Sequence, residues 1–133
     1  MALYARARFL LMGDRGLLAE FGDDISLQVN EKVGRMHLAI DTEATEGIIE
    51  TVPTYRSLLI VYDPLILSVE KLKKSLERIE KGLQQSPFPE PGVTRIPVVY
   101  GALYGPDLEG VAKYHGIPQE EVVRLHCSKP YHI

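Results

Sequence analysis

The sequence predicts an α+β fold, a four-stranded and mainly antiparallel sheet covered by two helices. Three observations carry that prediction. Residues 8–12 and 16–21 are short apolar runs joined by Gly13-Asp14-Arg15, a connection of hairpin length that contains glycine. Val29, Val33, Met36 and Ile40, and later Leu72, Leu76, Ile79 and Leu83, recur at i, i+4, i+7 and i+11, each set forming one stripe of an amphipathic helix. Residues 55–64, Tyr-Arg-Ser-Leu-Leu-Ile-Val-Tyr-Asp-Pro, form an apolar run of strand length, closed by a proline that has no N–H to donate to a ladder.

In chain order, the 8–12 and 16–21 hairpin is broken by Gly22-Asp23-Asp24. Ser26 is placed to cap the first helix, because its hydroxyl can accept from an otherwise unpaired backbone N–H. Gly34, inside that helix, costs about 1 kcal/mol relative to alanine. Gly47 ends the following turn, residues 48–52 form a third strand, and Pro53 closes it. This strand pairs with 57–62, the strand the domain is organised around, whose unbroken apolar character predicts burial on both faces. Ser68 caps the second helix, whose outer face mixes lysine, arginine and glutamate in the manner of a solvated surface. Residues 8–84 thus read β-β-α-β-β-α, an α+β sandwich.

The pattern then changes. Residues 84–92 hold three prolines and a glycine, a stiff extended linker. The predicted division is an N-terminal sandwich domain at 1–86, a Pro-rich linker at 87–92 and an incomplete second domain at 93–133. Residues 95–100 read as a strand demoted to an edge by Pro97, and 101–105 as a turn. Residues 107–115 form a short helix stopped by Gly116, and Pro118, at the first helical position, opens another with Val122, Val123 and Leu125 facing inward. Residues 131–133 look like the start of a strand. About forty residues of this kind cannot bury a core of their own.

Composition narrows the function classes. The chain is 45% hydrophobic and 25% charged with a formal net charge of −3. It has no basic footprint for nucleic acid and no apolar run near the ~20 residues of a membrane span. The apolar run at the N-terminus is too short for a signal peptide, and Cys127 is the sole cysteine, so the expected compartment is the cytoplasm. His37, His115, His126 and His132 lack the convergent spacing of a metal site, and none is predicted. Cys127 reads as a buried structural thiol, since it and His126 point apart on a helix. The Asp in Gly13-Asp14-Arg15 and in Gly105-Pro106-Asp107 bonds its own backbone in the ordinary turn reading, and Asp107 equally suits a helix N-cap. No nucleophile elbow, P-loop or dinucleotide fingerprint is present.

Longer stretches are more specific. Residues 9–22 (FLLMGDRGLLAEFG), residues 52–64 (VPTYRSLLIVYDP), and the set Ile96-Pro97-Val98-Val99-Tyr100-Gly101, Gly105-Pro106-Asp107-Leu108 and Val122-Val123-Arg124-Leu125-His126 together resemble the family of B-type 5-oxoprolinase subunits. That family includes allophanate hydrolase subunit 1 and inhibitors of a sporulation histidine kinase. In it, the segment resembling Tyr131-His132-Ile133 continues into a cyclophilin-like β-barrel. The resemblance therefore implies that 93–133 is the opening segment of that barrel, most of it absent from this chain. It also implies a role beside A-type and C-type subunits in ATP-dependent opening of 5-oxo-L-proline to L-glutamate, with ATP used by the assembled complex. The alternative roles are allophanate hydrolysis or inhibition of a histidine kinase. Arg15, Arg56, Asp107 and His126 lie within the matching motifs and are the candidates for ligand or partner contact; no catalytic residue is assigned. Strands orphaned near 95–100 and 130–133 predict self-association through residues 93–133.

Overall fold

The computed structural model describes residues 3–83, 88–89 and 92–132. The chain divides into two units, Met1–Phe88 and Pro89–Ile133. Of the linker expected at 87–92, residues 87, 90 and 91 lie outside the described residues.

In the first unit, β1 (Leu3–Met12) and β2 (Gly16–Gly22) form the expected hairpin, with Met12 opposite Gly16. Helix α1 (Leu27–Glu43) follows, then β3 (Ile48–Pro53), β4 (Ser57–Tyr62) and α2 (Val69–Gly82). The sheet order is β1-β2-β4-β3 and every neighbouring pair is antiparallel. Ser26 and Ser68 cap as expected, each side chain accepting from a backbone N–H three residues on, at Val29 and Lys71.

The core lies between the helices and one face of the sheet. Leu17, Ala19 and Phe21 of β2 and Leu58, Ile60 and Tyr62 of β4 meet Val29, Val33, Met36 and Ile40 of α1 and Leu72, Leu76, Ile79 and Leu83 beside them. Burying each large side chain contributes about 1.5–3 kcal/mol, and this layer carries most of the unit's stability. The expectation that 57–62 is buried on both faces fails. Leu59 and Val61 point away from the helices and are only half-buried, because both helices lie on one side.

Strand β1 begins five residues earlier than its apolar run, since Ala5, Arg6 and Ala7 carry no strand signal. Between Leu3 and Arg8 the register shifts. This irregular stretch is held by Lys32 of α1, whose Nζ donates to the Tyr4 carbonyl at 3.2 Å, and by Glu80 of α2, which accepts from the Ala7 N–H at 2.9 Å. Lys32 and Glu80 also pair with each other at 2.6 Å. Gly34 has a packing reason: a Cβ there would sit 2.9 Å from the Phe88 ring. Gly47, at φ +92°, turns the chain where a Cβ would lie 2.6 Å from that of Leu67.

The second unit holds α3 (Leu108–His115) and α4 (Gln119–His126), after a 3₁₀ turn at Ala102–Tyr104. Ala112 is its one buried hydrophobic among the described residues. Several sequence expectations are corrected here. Residues 95–100 form no strand, because no neighbouring strand takes up their backbone groups; Ile96, Val98 and Val99 are exposed. Residues 131 and 132 likewise form none, and Ile133 lies outside the described residues. Leu125 is exposed and Val122 and Val123 are half-buried, since α4 has no layer to face on that side. Pro118 is the N-cap in extended backbone rather than the first helical residue.

Candidate functional site

The densest polar and aromatic grouping in the second unit forms where α4 ends. The last residue of α4, His126, brings Nδ1 into a hydrogen bond with the Tyr100 hydroxyl, and the same hydroxyl lies 3.4 Å from Cys127 Sγ. The His126 ring stands edge-on to Tyr100, centroids 5.7 Å apart, and tilts against Tyr131 at 5.4 Å. Lys129 Nζ lies 5.9 Å from the Tyr131 ring centre.

Cys127 corrects the expectation of a buried thiol: it is exposed. The reason is positional. Cys127 is the C-cap at the exposed end of α4, and although its backbone is still right-handed helical, its side chain and that of His126 both reach the Tyr100 hydroxyl. The phenol has one proton to give, and His126 Nδ1 and Cys127 Sγ both stand within its reach. Donation by the phenol toward Cys127 Sγ favours its neutral form and raises Tyr100 above its ordinary range, with desolvation and the charges of Cys127 and Tyr131 adding to it. Tyr100 is thus held protonated at neutral pH, as a hydrogen-bond donor and not a base. Tyr100 and Tyr131 are the members that sequence reasoning missed. Their signal was present only as aromatics inside motif segments, and contact over 26 residues needs the fold.

On the same helix, Arg124 Nε and Nη2 bond both carboxylate oxygens of Glu121, at 2.7 and 2.6 Å. This bidentate pair lowers the Glu121 carboxyl below its ordinary range and raises Arg124.

Within neither unit do the candidate residues come together in one site. Arg15 is exposed in the β1–β2 hairpin, and its carbonyl accepts from the Tyr62 N–H. Arg56 sits at the opposite end of β2, about 20 Å away at strand rise. Its Nη1 donates to the Gly22 carbonyl at 3.2 Å, and Nη2 lies 3.7 Å from Glu20. Arg56 thus ties the end of β2 to the start of β4. In the second unit, Asp107 is exposed at the N-cap of α3 and makes no side-chain cap bond. It lines a shallow depression with Pro106, Val111, Tyr114 and His115. Only His126 stands in a cluster.

The described residues do not fit a nucleoside triphosphate. Each helix N-terminus, the usual seat of phosphate, has carboxylates beside it: Asp23 and Asp24 before α1, Glu70 in α2, Glu109 in α3, and Glu120 and Glu121 in α4. The hairpin turn at Gly13 leads into a strand and not a helix. Among the described residues, no group of three or more His, Cys, Asp or Glu side chains could hold a metal ion. No helix among them is long and apolar enough to cross a membrane.

The fold is thus an α+β sandwich with one open sheet face, followed in the chain by a small helical unit. The chain belongs to the carboxyltransferase domain, subdomain C and D family, whose model matches residues 7–133. It is 32% identical over 130 residues to the B-type subunit of 5-oxoprolinase from Bacillus subtilis (strain 168), covering 90% of this chain and 54% of that protein. The chain spans about half the length of the curated relatives it matches. Among solved structures it is similar to TTHA0988, at TM-score 0.72 and 35% identity, over 87% of this chain and 22% of that one. It is also similar to the N-terminal domain of the histidine kinase inhibitor KipI from Bacillus subtilis. That match has TM-score 0.51 and 26% identity, over 59% of this chain and 87% of that domain.

Proposed function

We propose that this chain is a B-type component of 5-oxoprolinase, acting with A-type and C-type subunits in ATP-dependent hydrolysis of 5-oxo-L-proline to L-glutamate, and inactive alone. The observation that carries the reading is the 32% identity to the B-type 5-oxoprolinase subunit across 130 residues. One feature of the chain agrees with it. The second unit exposes Ile96, Val98, Val99 and Leu103, as a segment built to meet further sheet would. In this reading residues 93–133 open a cyclophilin-like barrel and are also a segment through which copies self-associate. Arg15, Arg56, Asp107 and His126 are then contacts to ligand or partner subunits, and the complex works in the cytoplasm.

The test is a pull-down of this chain, and of a version extended through the length of its relatives, against A-type and C-type subunits, followed by ATP-dependent glutamate release from 5-oxoproline. Binding and turnover with the extended version support the proposal. Neither binding nor turnover with either version refutes it.

A second reading has its own observation, since the likeness to the KipI N-terminal domain covers most of that domain. In it the chain is a regulatory module that binds a histidine kinase without any C-type subunit. Inhibition of kinase autophosphorylation by the extended version alone would favour this reading over the first.

A further inference from the structure

The face of the sheet turned away from the helices is apolar, open and square. The strand registers lay it out in rows running across β1, β2, β4 and β3. One row is Met12, Gly16, Val61 and Glu50; the next is Leu10, Leu18, Leu59 and Val52; the third begins Arg8, Glu20 and Ser57. Leu10, Met12 and Val52 are 47%, 53% and 43% exposed, and Leu18, Leu59 and Val61 are half-buried. Six apolar side chains on one face are more than the scattered exposed hydrophobics of an ordinary surface.

Its charges are placed with a symmetry. Glu20 is answered within the same copy by Arg56 at 3.7 Å. That leaves Arg8 at one corner and Glu50 at the diagonally opposite one. Arg8 is steadied there by Tyr4, its guanidinium 4.0 Å from the ring centre. At ~4.8 Å between strands and ~3.4 Å per residue, the patch measures about 14 Å both across the four strands and along them. A square with opposite charges on one diagonal matches a copy of itself turned about an axis along the other diagonal.

We propose that this face is where two copies of the chain associate, sheet against sheet with the strands crossed near 90°. In that arrangement Arg8 of each copy lies over Glu50 of the other, and the closure is two-fold. Leu18 and Leu59 of the two copies interdigitate at the centre. Leu10 falls between Gly16 and Val61 of the other copy, where Gly16 leaves a notch. The projected footprint, side chains included, is about 400 Å² per copy, toward the small end of specific interfaces, so the dimer is reversible and micromolar rather than obligate. This surface is built from residues of the first unit alone and does not depend on the reading as a 5-oxoprolinase component.

The experiment is sedimentation equilibrium of the full chain from about 5 μM to about 500 μM, a range that brackets a micromolar dimer. The expected result is a monomer–dimer equilibrium. Leu59→Lys, with its circular dichroism unchanged, raises the dissociation constant by at least about 100-fold, because it places a charge in the apolar centre. Arg8→Glu and Glu50→Arg each weaken association about 10-fold, and the two together restore it to within about threefold, because the corner pairs re-form with reversed sign. A monomer at every concentration overturns the proposal, as does one whose Leu59 methyls are shielded by residues 93–132. Association whose strength is unchanged by Leu59→Lys overturns it and leaves residues 93–133 as the associating segment. A double reversal no better than the single variants overturns the crossed geometry.

Discussion

Removal of the Glu80 carboxylate tests how the irregular stretch of β1 is held. Glu80 pairs with Lys32 at 2.6 Å and accepts from the Ala7 N–H at 2.9 Å, and Lys32 in turn donates to the Tyr4 carbonyl. The Glu80 side chain is 9% exposed and that of Lys32 is 18%, so solvent screens the pair only in part. At this separation and an effective dielectric of about 20, the gross attraction is ~6 kcal/mol, before desolvation offsets much of it. Glu80→Ala also leaves the Ala7 N–H without its acceptor, a cost of about 1–3 kcal/mol. Together these give an expected loss of about 3 kcal/mol for Glu80→Ala. Glu80→Gln retains an oxygen for the Ala7 N–H, and its loss should be about half as large. In Lys32→Met/Glu80→Ala the two losses should fall short of additive by at least ~1 kcal/mol. Urea unfolding followed by far-ultraviolet circular dichroism measures the parent, Glu80→Ala, Glu80→Gln, Lys32→Met and the double variant, and amide exchange at Ala7 reports the local bond. If both single variants lie within about 0.5 kcal/mol of the parent, the ion pair does not hold β1 and the reasoning fails.

Gly34→Ala should gain little in the parent, because the helix propensity of about 1 kcal/mol is offset by displacing the Phe88 ring; in a Phe88→Ala background the full gain should appear in thermal unfolding. Cys127→Ala should bring the Tyr100 phenol back toward the ordinary tyrosine value, followed by NMR of ring-labelled tyrosine. Because the raised value favours the neutral phenol in the folded chain, the Cys127 contact contributes stability below the ordinary tyrosine range and loses it as pH rises through the folded value. For Glu121 the sign is opposite: its lowered carboxyl stabilises α4 above the ordinary glutamate range, and that contribution disappears as pH falls through the folded value. Glu121→Gln should therefore flatten the acid dependence of amide shifts in residues 119–126, and an unchanged dependence would dismiss the Arg124 pair as its cause.

The first unit was legible because its signals are local and agree with one another. The two apolar stripes, the two serine caps and the glycine-containing hairpin each act within a few residues, and all require the same layered fold. The family too was written in contiguous segments. The strand pairing of β3 with β4 followed from adjacency; the insertion of β2 beside β4, which makes β4 central, is a tertiary choice. So was the side on which both helices lie, and that choice left Leu59 and Val61 on an open face although their residue types suggested burial. Gly34 looked like a flaw until Phe88, fifty-four positions on, supplied the ring it accommodates. In the second unit local pattern misled: Val98 and Val99 have the residue types of a strand, but a strand exists only where another backbone takes its hydrogen bonds. The meeting of Tyr100 with His126 and Cys127 was likewise invisible in the sequence. Residue types and short spacings determine elements and caps, whereas contacts between distant segments depend on which surfaces the packed layers leave facing one another.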